Sequence, residues 1–262
     1  MHKDKTHYDN KKQTWFHVII YFIIATTLSG VFRLGLFDWH NKMTLPYGLT
    51  IVIKSILEGI GPIAGATIVL LTIKKKCDIT FLGFKKTKSF IMVIIPVLLF
   101  TIFGANNDQN LNRHYCGFIV GTSLTLYAVF EEYGWRGFLH NEFTNLKPFL
   151  RAILIGSFWY LWHLSFISNE TTVFDELKFF GILVFASWGI GAIAEKTKSV
   201  FACACFHLIG NILTFSPLIS NSFDNQTRYT IFGICLFFWI IIVNTWEKSI
   251  ITQKSRPNAN SS

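Results

Sequence analysis

The chain has 262 residues, of which 51% are hydrophobic, 16% aromatic and only 15% charged. Soluble domains carry roughly a quarter charged residues, so the expected solvent is lipid. The formal net charge of +9 could suit a nucleic-acid partner, but the lysines fall in short segments between long apolar runs and are not interleaved with stacking aromatics, which argues against that class.

A helix needs about 20 apolar residues to cross a bilayer. Eight spans are predicted, at about 14–36, 47–73, 89–104, 115–139, 149–168, 177–194, 199–219 and 229–247. The expected fold class is all-α, a polytopic transmembrane bundle forming one domain over 14–247. Short cytoplasmic tails flank it at 1–13 and 248–262, the second polar and expected to be disordered after Lys254. The first run follows Lys11 and Lys12 as a signal peptide would, yet it is longer than an h-region and lacks a small-residue cleavage site, so it reads as a retained anchor. Five cysteines, Cys77, Cys116, Cys203, Cys205 and Cys235, form no CxxC signature and read as small core residues.

With eight spans, both termini and three connectors share one side. That side collects seventeen Lys and Arg residues: Lys3, Lys5, Lys11, Lys12, Lys74, Lys75, Lys76, Lys85, Lys86, Lys88, Lys147, Arg151, Lys196, Lys198, Lys248, Lys254 and Arg256. The other side has six, Arg33, Lys42, Lys54, Arg113, Lys178 and Arg228. The imbalance predicts cytoplasmic termini.

In the second span Lys54 and Glu58 are four apart and can pair, and Gly59, Gly61, Pro62 and Gly65 should loosen or kink the helix. The fourth span carries Glu131-Glu132 and Arg136. Ionisable groups in a bilayer cost about 2.5–3.5 kcal/mol each at a helix centre, so they tend to be functional. Glu132 and Arg136 share a helix face and can pair, whereas Glu131 points about 100° away. Glu131 is therefore expected to lack a partner in its own helix and a nearby cation, a setting that raises a carboxyl pKa and suits a general base. The fifth span places Trp159 and His163 inside its apolar run. In the seventh, His207 and Asn211 lie one turn apart with Cys203 on the same face. Their N–H groups are of the type that holds an oxyanion in acyl transfer. Blander readings exist for each: an interfacial ion-pair cluster, a packing histidine, and interhelical hydrogen bonding. Glu195, beside Lys196, reads as a solvated interfacial charge. No HExxH or GxSxG signature is present.

Glu131-Glu132-x-x-x-Arg136, Trp159-x-x-x-His163 and His207-x-x-x-Asn211, in this order on three spans, resemble the three motifs of the CAAX prenyl endopeptidase (CPBP, or Abi) family. The stretch Gly189–Ser199 resembles it too, and the likeness covers about residues 115–215. The family's second motif usually begins with Phe, and Trp159 stands there, which leaves the cavity width open. The resemblance implies an eight-helix membrane fold with a conical cavity open to the cytoplasmic side, and a site facing that side. It further implies an intramembrane endopeptidase that cleaves a peptide bond near the end of a membrane-associated peptide or protein. Glu131 and His163 would activate water, His207 and Asn211 would hold the oxyanion, and Glu132, Arg136 and Trp159 would organise the site, with Glu132 counted among the catalytic candidates. No cofactor is favoured, although Glu131, His163 and His207 could together ligate zinc.

The bilayer and a peptide or protein substrate are the partners this reading calls for, and oligomeric state is left open. A different class is a non-catalytic immunity or scaffold protein that binds a peptide through the same cavity. A third, a proton-relaying transporter, would be expected to show inverted repeats, and none is visible.

Overall fold

The computed structural model describes residues 2–36, 46–167, 171–215 and 217–254. All eight predicted runs are helical: α1 (His2–Arg33), α2 (Tyr47–Ile73), α3 (Lys86–Phe103), α4 (Arg113–Glu132), α6 (Pro148–His163), α7 (Val173–Thr197), α8 (Val200–Gly210) and α10 (Asn225–Lys254). Shorter pieces join them, α5 (His140–Glu142) and α9 (Pro217–Ser222). Among the described residues five helices, α1, α2, α3, α7 and α10, are long and apolar enough to cross a membrane. The other three, α4, α6 and α8, carry Glu131, Glu132, His163 and His207. Among the described residues there is no strand, only an isolated bridge between Thr80 and Ser199.

Helix also occupies part of each expected tail, since α1 includes residues from His2 and α10 reaches Lys254. Residues 255–262 of the predicted C-terminal tail lie outside the described residues, as does Lys42. The fifth span is shorter than expected. It ends at His163, where Leu164 takes a left-handed conformation (φ 58°), so His163 is the last residue of its helix and not well inside the run.

α1, α2, α4 and α6 form the frame of the site. The glycines of α2 do not break it, and the helix continues through Pro62. They allow close approach instead: a Cβ on Gly61 would sit 2.1 Å from the Ala25 carbonyl oxygen, and Gly61 N donates to Ser29 Oγ at 3.1 Å. Small residues at a crossing are how membrane helices gain packing, since lipid gives them no hydrophobic drive to associate. α6 runs parallel to α1. Phe22 meets Phe158 at 5.0 Å between ring centroids, Trp162 Nε1 donates to the Ala25 carbonyl at 3.2 Å, and Gly30 lies against Leu164.

Directly after Glu131 and Glu132, α4 widens into a π-helix over Tyr133–Leu139. α8 widens likewise over Asn211–Phe215. Such bulges are rare and recur at functional sites. Gly134 in the first is required sterically, because a Cβ there would come within 2.5 Å of the Tyr21 hydroxyl and 2.6 Å of Pro62 Cβ.

Candidate active site

The predicted Glu132–Arg136 pair forms, with Arg136 Nη1 donating to Glu132 Oε1 at 2.8 Å. Both side chains are fully buried. The spacing did not reveal the third member: His207 Nδ1, from α8, donates to the same Oε1 at 2.8 Å. A buried ion pair on its own barely repays its desolvation, so extra hydrogen bonds to its members matter. Arg136 gains a further contact to Ser187 Oγ at 3.5 Å and lies 4.9 Å from the centre of the Trp159 ring.

Glu131 is also wholly buried, but it is not partnerless. Trp135, one turn on in its own helix, donates Nε1–H to Oε2 at 3.2 Å, and Trp159 of α6 donates to the same oxygen at 2.8 Å. Nor is it remote from a cation, for Arg33 Nη2 lies 3.9 Å from Oε1. The two indoles commit one oxygen and set the plane of the carboxylate. Oε1 makes no hydrogen bond of ordinary geometry, and the Tyr127 hydroxyl interacts with the carboxylate group.

His163 Nδ1 is 2.8 Å from the Trp159 carbonyl. A carbonyl only accepts, so Nδ1 carries the proton and Nε2 keeps its lone pair in the neutral ring. The ring is wedged edge-on between Trp162, at 5.2 Å, and Phe179, at 5.0 Å. It interacts electrostatically with Glu131, Arg33 and His207. His207 packs 5.0 Å from the Trp159 ring. Asn211 begins the π-turn after α8, and its buried Nδ2 has no hydrogen-bond partner. The structure thus brings Glu131, Glu132, His163, His207, Arg136 and Trp159 into one cluster, with the unspent donors of Asn211 on the next turn of α8.

Sequence reading missed Arg33, Tyr127, Trp135 and Ser187. Trp135 was legible as the residue four after Glu131. Arg33 was not, since it comes from the far end of α1, where its guanidinium stacks 3.6 Å over Trp162 and donates to the Tyr127 hydroxyl. Of the other polar groups, Lys54 and Glu58 pair as expected at 3.9 Å. Glu195 does more than face solvent, because it pairs with Arg151. The five cysteines are unbridged, and all but Cys77 are buried.

Among the described residues no three His, Cys, Asp or Glu side chains are grouped so as to hold a metal ion. Glu131 Oε2 faces two N–H donors and His207 Nδ1 faces Glu132, so the atoms these three residues could still offer a metal are Glu131 Oε1, His163 Nε2 and His207 Nε2. A cavity of about 400 Å³ lies between the C-terminal end of α6 and the N-terminal end of α7, lined by Tyr160, Phe166, Glu176, Leu177 and Phe180 among others. None of the candidate residues lines it. It adjoins them through Phe179, which Tyr160 and His163 both touch.

Fold and site together define a multi-pass helical membrane protein with a buried cluster of carboxylates and imidazoles. Residues 115–213 match the family of type II CAAX prenyl endopeptidases, Rce1-like. A curated CAAX prenyl protease 2 from Methanococcus maripaludis is 30% identical over 139 residues, covering 46% of this chain and 51% of the relative. Through this segment the chain is similar to CAAX prenyl endopeptidases, and it spans about half the length of the curated relative it matches.

Proposed function

We propose that the protein is an intramembrane endopeptidase that hydrolyses a peptide bond near the end of a membrane-associated peptide or protein, using water activated by Glu131 and His163. The observation that carries this reading is the Glu131 carboxylate, fully buried, with Oε2 fixed by two indole donors and Oε1 unspent. A base held in one orientation before substrate arrives needs no reorganisation when it takes a proton.

In the proposed sequence, water lies between Glu131 Oε1 and His163 Nε2. One water proton passes to Glu131 as the oxygen bonds to the scissile carbonyl carbon. The resulting oxyanion accepts hydrogen bonds from Asn211 Nδ2 and from His207, whose Nδ1–H rests on Glu132 and whose Nε2 presents the second donor when it is protonated. The proton on Glu131 then moves to the leaving nitrogen, and the C–N bond breaks. Glu132 and Arg136 do not touch the reacting atoms in this scheme, so Glu132 acts as a positioning residue for His207.

No step in this scheme runs through a metal. The test is cleavage of a peptide library by purified protein in detergent, for wild type, Glu131→Gln and Asn211→Ala, with and without chelator. Cleavage that survives chelator and disappears in Glu131→Gln is the expected result. Wild-type levels of cleavage by Glu131→Gln would remove the base from its role, and loss with chelator restored by zinc would replace this mechanism with a metal-dependent one. An immunity or scaffold protein would keep its protective phenotype in Glu131→Gln cells.

A further inference from the structure

Asn211 differs from the rest of the cluster in how it is held. Its Nδ2 has no hydrogen-bond partner, so the aim of that amide depends on the backbone that carries it, the π-turn Asn211–Phe215 at the C-terminal end of α8. The last four carbonyls of a helix find no N–H within it. A wide turn at such an end therefore needs donors from elsewhere.

Arg228, near the start of α10, supplies them. Its Nε–H donates to the Ile212 carbonyl at 3.2 Å, and Nη2 donates to the Leu213 carbonyl. Ile212 and Leu213 directly follow Asn211. One planar guanidinium thus bridges two successive carbonyls of the turn, a fork that the compact ammonium of a lysine does not reproduce. Nη1 donates to Asn225 Oδ1 at 3.2 Å, which fixes the plane of the fork. The start of α10 is itself secured. Asp224 accepts from Thr227 N at 2.9 Å and from Thr227 Oγ1 at 2.8 Å, and Phe223 packs 5.2 Å from Phe100 of α3.

The position of the charge agrees with a role toward α8. Near the N-terminus of α10 a cation meets the positive end of that helix's dipole, whereas at the C-terminal end of α8 it meets the negative end. For α10 alone the placement is unfavourable. Arg228 also lies outside residues 115–213, the segment that matches the Rce1-like family.

We infer that Arg228 is a positioning residue, a clamp from α10 that holds the π-turn so that the Asn211 amide stays aimed at the oxyanion. The oxyanion part of this inference rests on the endopeptidase reading. The clamp does not. A donor to the oxyanion acts on the transition state, so losing its aim lowers kcat and spares KM.

The test measures kcat and KM on a peptide selected from the library, using the full chain in detergent as wild type, Arg228→Lys, Asn211→Ala and the double variant. Arg113→Lys is the control, because Arg113 also donates to a helix-terminal carbonyl, that of Phe103 at 2.7 Å, but on α3, which carries none of the candidate residues. Arg228→Lys should lower kcat by roughly ten- to a hundredfold with KM nearly unchanged, and the control should change neither. In the Asn211→Ala background the same Arg228→Lys change should cost about twofold or less, since the clamp then has no amide to aim. Losses that multiply independently, or a loss confined to KM, overturn the inference with the protease reading intact. Amide hydrogen exchange gives a readout apart from catalysis: peptides covering 211–215 should exchange faster in Arg228→Lys than in wild type, and peptides from α6 should not. Unchanged exchange sinks the clamp whether or not peptide is cleaved. Faster exchange with no cleavage by wild type sinks the protease reading and leaves the clamp standing.

Discussion

Replacing Arg136 with Leu should destabilise the protein far more than an average core substitution. The guanidinium lies 2.8 Å from Glu132 Oε1, with both side chains at 0% exposure. Its removal leaves the Glu132 carboxylate held by His207 Nδ1 alone, while Oε2 already has no partner. Breaking a buried pair by deleting one member costs about 3–5 kcal/mol. At about 2–4 °C per kcal/mol for a chain of this size, the thermal midpoint in detergent should drop by about 6–20 °C. The second half of the prediction tests the cause. Adding Glu132→Gln removes the stranded charge yet keeps an amide oxygen for His207 to donate to, so the double variant should recover much of the loss. A single variant melting within about 1 °C of wild type would refute this account, as would a double variant less stable than the single.

Two further outcomes follow from the same geometry. Trp159→Phe deletes one of the two donors to Glu131 Oε2; a hydrogen bond to a charged group contributes about 1.5–3 kcal/mol, so the melting midpoint should fall by about 3–12 °C and cleavage by the protein that remains folded should also fall, and unchanged turnover would show that the orientation of Glu131 does not depend on that indole. Gly61→Ala should lower the thermal midpoint because its Cβ would press on the Ala25 carbonyl, whereas Gly181→Ala, with nothing within 4 Å, should not; equal melting of the two would remove the close α1–α2 approach as a source of stability.

The helices were legible because apolar length is a local property, and every predicted run is helical. What a single helix determines was also legible, such as the four-residue spacing that pairs Glu132 with Arg136. What crosses between helices was not. His207 was read with Asn211 because the two share a face of α8, yet its Nδ1 turns to a carboxylate 75 positions earlier in the chain. Arg33 was counted as a topology charge, and it lies instead over Trp162 and beside Glu131. Neither contact leaves a periodic trace in the sequence, since each depends on how parallel and antiparallel neighbours align. The π-turns were invisible for a related reason: they differ from α-helix by one residue of register, which hydropathy does not sense.

The three helices that fall short as membrane spans are the three that hold the cluster, and this couples site formation to folding. With Glu131, Glu132 and Arg136 in one stretch, α4 carries an insertion cost of about 8–10 kcal/mol on scales for isolated helices. It is tolerable only because no charged head meets lipid: each is buried against a tryptophan, a histidine or an opposite charge from α1, α6 or α8. The apolar helices α2 and α3 flank α4 closely, and a Cβ on Gly117 of α4 would come within 2.0 Å of the Phe100 carbonyl oxygen of α3. Substitutions that part these helices, such as Gly117→Ala, should therefore weaken the acid–imidazole cluster along with the bundle, even though they touch none of its members.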